Sequence, residues 1–542
     1  MKTWPSLSID PIKSKLWREN GFWVDCPITE LFDEHVSLRP NQLCLIDSRR
    51  EITYLELQEL SYRLAAGLQK NGFQSGDVIA VQLPNWIEFV AIYLAVVRSC
   101  GVIALIPPIS RGPEVAKMLR ISKAKYWVIT NHFKDFDYLS MAHQLNWDNL
   151  IVLGKSDSKS ISFDDLIFST INISDIKKQF NHIHKYADDF VEIVFTSGTT
   201  GDPKGVMHTH NTIMAPQLAM AQSLSVDHKS VLHMASTLSH QTGFLNGIHL
   251  TLQTGATTVL QDQWVVHRFL ELAEKYKIQI SSGSSTFLLD ILRAPELDQF
   301  DLSSWRIFRA GGGPIPVALV EEAESRLPHL RVLRGWGQTE NGVVTLSRLD
   351  DPQSIRCLTD GRVQRGMQIR VVDANNQTIS SGQEGSLQCR GAFMCVAYAN
   401  DPFMLSNDQQ DDWFVTGDLA TMDQNGNITL TGRQKDIIIR GGEKIPVHEI
   451  ENILFKDERI LEVAIVGMPD DRLGERACAF VLCRQGHQLS LNNMQDFLKD
   501  NNVVKQYWPE RLEVVSSMPR SPNGKIKKAV LRQQIISSKI LG

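Results

Sequence analysis

A loop rich in glycine and hydroxyl side chains is the first segment whose residue types could do chemistry. Residues 191–206 read VEIVFTSGTTGDPKGV, so a β-rich run, Val191–Phe195, leads into the loop and Lys204 closes it. Glycines allow backbone N–H groups to approach phosphate oxygens, hydroxyls add donors, and a lysine supplies positive charge. The order Pro203-Lys204-Gly205 excludes a Walker A loop, in which Gly and Lys are adjacent and Ser or Thr follows. The segment predicts a different phosphate-binding loop, with a flexible surface loop as the alternative.

The whole string resembles the phosphate loop of the adenylate-forming superfamily, which includes acyl-CoA synthetases, aryl acid–AMP ligases, peptide-synthetase adenylation domains and luciferases. Each further motif alone is weak, because a Gly-Asp turn or a lysine in a loop is common at protein surfaces. Four further segments nevertheless resemble motifs of this superfamily and follow in its order: residues 335–340 (GWGQTE), 416–418 (TGD), 432–451 (GRQKDIIIRGGEKIPVHEIE) and 519–525 (PRSPNGK). The chain is therefore identified as similar to this superfamily, most of all to short- and medium-chain acyl-CoA synthetases and aryl acid–AMP ligases.

The resemblance implies a reaction in two steps. A carboxylate attacks the α-phosphorus of ATP and gives an acyl-adenylate and pyrophosphate, and a thiol then attacks the mixed anhydride. Neither step needs a covalent protein nucleophile, so positioning and charge stabilisation must carry the catalysis. The expected small molecules are a carboxylic acid, ATP, Mg²⁺ and CoA as the thiol substrate.

The resemblance also implies which residues surround ATP or AMP. The glycine loop with Lys204 is expected to hold the β- and γ-phosphates and Thr339 the α-phosphate. Asp418 is expected to accept from both ribose hydroxyls, with Arg433 as a further donor. The complete expected set is Thr196, Ser197, Gly198, Thr199, Thr200, Gly201, Lys204, Gly311, Gly312, Gly313, Trp336, Gly337, Gln338, Thr339, Asp418, Arg433 and Lys525. Trp336 is expected to line the adenine site, beside the backbone of the three consecutive glycines.

The same resemblance assigns catalytic and mobile residues. The expected catalytic residues are Lys525, Thr339, Glu340 and Lys204. Glu340 is the expected Mg²⁺ ligand, since this hard cation takes few carboxylates and several phosphate oxygens. Lys525 is expected to contact the substrate carboxylate and the α-phosphate during adenylation. Lys435 matches the hinge position, and the tunnel for pantetheine is expected to be lined by Gly441, Gly442 and Glu443.

The acyl pocket is expected near residues 236–247, STLSHQTGFLNG, with His240, Gln241 and Phe244 as its candidates. Hydroxybenzoate ligases carry His-Asn at this point, whereas this chain has Gln241, which weakens that assignment. The run from residue 242 to 247 looks more like short- and medium-chain acyl-CoA synthetases. The favoured function is thus an acid–CoA ligase for a fatty, alicyclic or aryl acid. The alternatives are an acyl- or aryl-AMP ligase that loads a carrier protein, a non-catalytic nucleotide binder and a luciferase-like oxygenase.

The composition of the chain excludes several classes of protein. The chain has 542 residues and a net charge of −5, so it lacks the basic signature of a nucleic-acid-binding domain. The first residues contain no apolar signal segment, and the longest apolar stretch, 89–106, is broken by Arg98 and Gly101, so no membrane span is expected. Eight cysteines without a CxxC pair favour reduced thiols and a cytoplasmic location.

The elements that must position these motifs show three different secondary-structure patterns along the chain. Helical and strand patterns alternate in the first part, for example helix 54–72, strand 78–82 and helix 86–97, which predicts a mostly parallel, helix-covered sheet. Short strands with Gly, Asn and Asp turns from 361 to 432 predict a small β subdomain. We therefore expect an α/β multidomain chain: an N-terminal core, 1–432, a hinge, 433–436, and a small mobile α+β domain, 437–542.

Overall fold

The computed structural model describes residues 10–167, 172–183, 186–197, 203–311, 315–400, 409–410, 412–520 and 526–540. Two large sheets, a small sheet and a short hairpin contain the strands before residue 434. In chain order these strands are β1 (Leu43–Ile46), β2 (Glu51–Thr53), β3 (Val78–Gln82), β4 (Val102–Leu105), β5 (Tyr126–Thr130), β6 (His132–Phe133), β7 (Phe136–Asp137), β8 (Leu150–Leu153), β9 (Ile161–Ser162), β10 (Phe190–Ser197), β11 (Pro203–Thr209), β12 (Val231–Met234), β13 (Thr257–Leu260), β14 (Ile280–Gly283), β15 (Ile307–Ala310), β16 (Arg331–Gln338), β17 (Gly342–Leu346), β18 (Arg362–Val363), β19 (Met367–Val372), β20 (Gly385–Gly391), β21 (Ala397–Tyr398), β22 (Gln409–Gln410), β23 (Trp413–Met422) and β24 (Ile428–Arg433).

The helices of this part lie between and around the strands. They are α1 (Pro11–Glu19), α2 (Ile28–Leu38), α3 (Tyr54–Lys70), α4 (Ile87–Arg98), α5 (Gly112–Ser122), α6 (Tyr138–Gln144), α7 (Phe163–Ile167), α8 (Ile173–Asn181), α9 (His210–Leu224), α10 (Gln241–Gly243), a π-helical turn (Phe244–His249), α11 (Leu250–Thr254), α12 (Val266–Tyr276), α13 (Ser285–Arg293), a 3₁₀ turn (Leu297–Gln299), α14 (Val317–Arg326) and α15 (Gln353–Leu358). Helix α10, the π-helical turn and α11 are continuous, and we call residues 241–254 the acyl helix.

Both large sheets are mostly parallel, which confirms the prediction from the alternating pattern. The eight-stranded sheet has the order β21-β11-β10-β4-β3-β5-β8-β9, and its strands from β10 to β9 are parallel. The nine-stranded sheet has the order β18-β17-β16-β15-β14-β12-β13-β1-β2, parallel from β16 to β1. Parallel strands present their carboxyl ends at one edge, where ligands of such sheets bind.

Helix α4 lies between the two large sheets. Every residue of α4 is buried, and the helix shares an apolar cluster with Leu45 of β1 and Ile79 of β3, which belong to different sheets. Arg98 at its end is buried and pairs with Asp33 at 2.7 Å. The apolar stretch 89–106 is therefore an internal helix followed by β4. In the described ranges, no helix is long and apolar enough to cross a membrane.

A five-stranded antiparallel sheet follows the large sheets, in the order β19-β20-β23-β22 with β24 beside β23. Strand β24 reaches Arg433, and a 3₁₀ turn, Gln434–Asp436, connects it to the last part of the chain. The small β subdomain predicted from the turn residues is thus present, and its last strand ends where the hinge is expected.

The C-terminal part is a separate α+β unit with its own apolar clusters. Its elements are β25 (Ile438–Arg440), β26 (Glu443–Ile445), α16 (Val447–Leu454), β27 (Ile460–Asp470), β28 (Gly474–Cys483), α17 (Leu491–Asp500), a 3₁₀ turn (Lys505–Tyr507), β29 (Arg511–Val514) and α18 (Lys528–Ile540). The sheet order is β26-β25-β28-β27, with β29 parallel to β28. The α+β architecture predicted for this part is confirmed.

Candidate active site

The glycine loop connects two antiparallel strands of the eight-stranded sheet. Thr196 in β10 pairs with Lys204 in β11, so the two ends of the loop are held side by side. The predicted phosphate-loop residues Gly198, Thr199, Thr200 and Gly201 lie outside the described residues. The pairing of β10 with β11 nevertheless fixes the backbone position of Lys204. The ammonium nitrogen of Lys204 lies 5.0 Å from the centre of the Tyr398 ring.

Glu340 lies in the same cluster as Lys204. The hydroxyl of Tyr398 donates to Oε1 of Glu340 at 3.1 Å, and the backbone N–H of Cys395 donates to its carbonyl at 2.7 Å. Burial raises the pKa of the Glu340 carboxyl, while Tyr398 and the Lys204 charge oppose that rise. Tyr398 was missed in the sequence because it contacts Glu340 across 58 residues and belongs to no motif.

The carboxyl of Glu340 is chemically suited to Mg²⁺. In the described ranges, no group of three or more His, Cys, Asp or Glu side chains could hold a metal ion. A single carboxylate beside the predicted phosphate loop is a donor set that suits Mg²⁺, because this ion keeps waters and takes phosphate oxygens. Any ion here would therefore bind together with the phosphates.

Thr339 is held through its main chain. Its carbonyl accepts from Nε2 of His208 at 2.8 Å and from Nε2 of Gln241 at 3.5 Å. Burial lowers the pKa of His208 to about 4, so the ring is neutral at pH 7 and donates from Nε2. Its Nδ1 then accepts from the hydroxyl of Thr212 at 3.1 Å. His208 is a positioning residue that no local sequence pattern indicated.

Asp418 joins the aromatic motif to the β subdomain. Its Oδ2 accepts from the indole N–H of Trp336 at 2.8 Å and from the side chain of Gln338 at 2.9 Å. Arg433 pairs with its Oδ1 at 2.9 Å. Gln338 also donates to the carbonyl of Thr416 at 2.8 Å. The structure thus brings together four residues predicted for the nucleotide, and Trp336 and Gln338 reach Asp418 across 80 or more positions.

Residue 337 must be glycine for a steric reason. A Cβ atom there would lie 1.7 Å from the carbonyl oxygen of Gly342, so no other residue fits the bulged pairing of β16 with β17. Gly311 directly follows β15, and its N–H donates to the carbonyl of Gly283 at 3.1 Å. The other two glycines of that run, Gly312 and Gly313, lie outside the described residues.

The three acyl-pocket candidates have different surroundings. The ring of His240 accepts from the N–H of Thr242 at 3.1 Å and caps the start of the acyl helix. Gln241 is buried and contacts Thr339 as described. The ring of Phe244 is fully buried between Tyr93, at 4.9 Å, and Phe89, at 5.6 Å, within the internal core. Of the three, Gln241 contacts a residue of the nucleotide motifs.

The predicted hinge residue Lys435 is exposed in the 3₁₀ turn after β24. Gly441 and Gly442 form the turn between β25 and β26 with φ of 59° and 93°, values that favour glycine, and Glu443 is exposed beside them. Lys525 lies outside the described residues. Arg520, just before it, pairs with Glu462 at 2.5 Å and lies 3.5 Å from Thr286 of α13, a helix that begins beside Gly311.

Two family models match the chain, and known proteins are similar to it over most of its length. A model of the AMP-binding enzyme family matches residues 32–399, and a model of the AMP-binding enzyme C-terminal domain matches residues 449–525. A medium-chain fatty-acid–CoA ligase of Escherichia coli (strain K12) is 34% identical over 538 residues, which are 98% of this chain and 94% of that protein. A 2,3-dihydroxybenzoate-AMP ligase of Bacillus subtilis (strain 168) is 27% identical, with 97% of each chain covered. A crystal structure of the anthranilate CoA ligase AuaEII with anthranoyl-AMP superposes with a TM-score of 0.85 at 21% identity, covering 95% of this chain and 98% of that one.

Proposed function

The chain belongs to the AMP-binding enzyme family, and on that premise we propose that it activates a carboxylic acid with ATP and transfers the acyl group to CoA. It is an acid–thiol ligase that forms AMP. The observation that carries the proposal is the cluster around Asp418, where an indole, an amide and a guanidinium converge on one carboxylate. Trp336 and Gln338 of that cluster belong to the motif that also contains Thr339 and Glu340, so this motif is expected to reach from the ribose to the phosphates of a nucleotide.

In the proposed first step, a carboxylate oxygen of the acid attacks the α-phosphorus of ATP. The bond from that phosphorus to the bridging oxygen breaks, and pyrophosphate leaves. Thr339 is expected to bond the α-phosphate, and His208 fixes it by holding its carbonyl at 2.8 Å. Lys204 and Lys525 are expected to offset the negative charge that develops on the phosphate oxygens.

Mg²⁺ fits the first step at Glu340. The half-buried carboxyl lies in one cluster with Lys204 and Tyr398, and a β- or γ-phosphate is expected against the same lysine. When bound, the ion would neutralise phosphate charge and orient the leaving pyrophosphate. Tyr398 would keep the carboxyl in place through the bond that it donates to Oε1.

In the proposed second step, the thiol sulfur of CoA attacks the acyl carbon. The bond from that carbon to the phosphate oxygen breaks, and AMP leaves. We expect rotation of the C-terminal domain about Lys435 between the steps, which would bring Gly441–Glu443 to the pantetheine. Two observations support this rotation: no residue of the 3₁₀ turn at 434–436 is buried, and Gly441 and Gly442 have positive φ.

A carrier protein is the alternative acceptor. Similarity to the 2,3-dihydroxybenzoate-AMP ligase favours the related alternative of an aryl-AMP ligase, since 97% of this chain is covered at 27% identity. The higher identity to a fatty-acid–CoA ligase, 34%, and Gln241 in place of asparagine favour free CoA.

A panel of carboxylic acids tests the proposal. Pyrophosphate release should require an acid and ATP, and CoA should increase the turnover of the best acids. Release that does not depend on any acid, or ADP as the product in place of AMP, would contradict the proposed reaction.

A further inference from the structure

Arg309 is a buried cation at the candidate site, and no acidic side chain of the described residues pairs with it. It lies in β15, and its side chain is 4% exposed. Its Nε has no hydrogen-bond partner among the residues that the structure describes. Burial alone accounts for its lowered pKa, about 10, so no carboxylate offsets the desolvation. Other buried arginines of the chain are paired, as Arg334 is with Asp360 and Arg356 with Glu324. An unpaired buried charge is costly, which suggests that a ligand supplies the missing anion.

The guanidinium lies at the carboxyl end of β15. A Cβ atom built on Gly311 would lie 3.5 Å from Nη1 of Arg309, so the charged group reaches the glycine predicted for the nucleotide site. Alternation along the strand puts Arg309 on the same face as Ile307. Ile307 shares an apolar cluster with Met220 of α9 and Leu250 of the acyl helix. Arg309 therefore points into the layer between the nine-stranded sheet and these two helices.

The two helices present further unpartnered polar atoms. Both polar atoms of Gln217 in α9, Oδ1 of Asn246 and Oε1 of Gln241 are buried and have no partner within the described ranges. On their helices, Gln217 lies on the same face as Met220, three residues later, and Asn246 on the same face as Leu250, four residues later. Both amides therefore lie on the helix faces that pack against the layer containing Ile307.

Ser284 adds a hydroxyl from the sheet. Gly283 in β14 pairs with Ala310, so Ser284 stands opposite Gly311 at the same edge. It occupies the N-cap position of α13 without a side-chain cap bond, and its buried Oγ has no partner in the described part of the chain. The N–H groups at the start of α13 favour negative charge.

We propose, on top of the proposed function, that the acid carries a second anionic group, a carboxylate, which Arg309 and Ser284 bind while the first carboxylate reacts at Thr339. The substrate class is therefore a dicarboxylic acid, and the unreacted carboxylate is a specificity element that leaves with the thioester product.

Matched acids test this proposal in the intact enzyme. Linear dicarboxylic acids of four to ten carbons are compared with monocarboxylic acids and monomethyl esters of the same length, by pyrophosphate release with ATP and Mg²⁺. A monomethyl ester lacks the second carboxylate and would leave the buried guanidinium of Arg309 without a charged partner. The best dicarboxylic acid should therefore exceed its ester in kcat/KM by roughly 100-fold. A best acid that is a plain alkyl or aryl monocarboxylate would overturn the dicarboxylate proposal and leave the proposed function intact. No activity with any acid would instead contradict the proposed function.

Arg309→Met separates substrate binding from a role in the reaction. It should lower kcat/KM for the dicarboxylic acid by roughly 100-fold and raise that for the monocarboxylic acid. Equal loss for both acids would overturn the proposal, because Arg309 would then serve the reacting groups. Arg306 is exposed and lies three residues earlier, so Arg306→Met is the matched control. It should leave kcat/KM unchanged for both acids.

Thermal unfolding supplies a readout apart from activity. Replacing an uncompensated buried charge by an apolar side chain of similar length should raise the melting temperature of the free enzyme by about 2 °C or more. The dicarboxylic acid alone should raise the melting temperature of the wild type but not of Arg309→Met. A destabilised variant, with equal shifts by the acid in both proteins, would mean that Arg309 is structural.

Discussion

The contacts of Asp418 predict that Asp418→Asn has a small effect on stability and a large effect on ATP binding. Asp418→Asn keeps one oxygen, which can still accept from Trp336 and Gln338, but replaces the oxygen beside Arg433 by an NH₂ group. The pair with Arg433 contributes at most about 1 kcal/mol, because 47% of the arginine side chain is exposed. The fold should therefore remain, with a small loss in melting temperature.

Binding of ATP should change much more than stability. A hydrogen bond from a ribose hydroxyl to a carboxylate contributes about 1.5–3 kcal/mol, and the amide cannot accept at the replaced position. At about 1.4 kcal/mol per factor of ten, the Kd for ATP should rise roughly 10- to 150-fold. Calorimetry gives the Kd directly, and pyrophosphate release against ATP concentration gives the KM.

A second carboxylate of the same subdomain is the matched control. Asp423 accepts backbone bonds from Asn425 and Asn427 in a turn away from the motifs, so Asp423→Asn should leave the Kd for ATP unchanged. A folded Asp418→Asn enzyme whose Kd for ATP is within twofold of the wild type would refute the assignment of Asp418 to the ribose.

The remaining predictions address the metal, the two lysines and pH. Glu340→Gln should raise the Mg²⁺ concentration needed for half-maximal pyrophosphate release by about tenfold or more, and an unchanged Mg²⁺ titration would remove Glu340 as the ligand. Lys525→Ala should slow adenylation by roughly 10²–10³ but spare thioester formation from supplied acyl-AMP. Lys435→Pro should do the reverse, because proline fixes φ and restricts the hinge, and equal loss in both half-reactions would contradict either role. Burial lowers the pKa of His208 and His233 to about 4 each, below the value near 6.5 of the unfolded chain. The unfolded state therefore binds the extra protons as pH falls from 6.5 to 4, and urea titration should show about 2 kcal/mol less stability per histidine at pH 5 than at pH 7.5. Equal stability at the two pH values would mean that these rings are already protonated in the fold.

Elements with a strong local pattern could be predicted from the sequence. The predicted strand 78–82 is β3, and the predicted helix 54–72 is α3, Tyr54–Lys70. Thr53 and Glu56 form a capping box at the start of α3, so both periodicity and a local start signal mark this helix. Burial of strands on both faces explains why short apolar runs were sufficient for the parallel sheets.

Contacts between distant segments could not be predicted in the same way. The bond from His208 to Thr339 spans 131 residues, and the one from Tyr398 to Glu340 spans 58, so no spacing in the sequence indicates them. The π-helical turn, Phe244–His249, follows Gly243 and adds a residue to a helical turn, a feature that no local pattern of the sequence specifies. In the sequence Arg309 is an ordinary charged residue, and only the structure shows that it is buried and has no acidic partner in the described part of the chain.

Discharge of a trapped adenylate distinguishes acyl transfer to CoA from the alternative reactions. Enzyme is incubated with a good acid and ATP labelled at the α-phosphate, the bound label is isolated, and CoA, pantetheine or a phosphopantetheinylated carrier protein is added. Our account predicts acyl-AMP on the enzyme, with CoA releasing AMP and forming the acyl thioester faster than pantetheine does. Label that appears as ADP, or an adenylate that CoA leaves intact while the carrier protein is acylated, would contradict it.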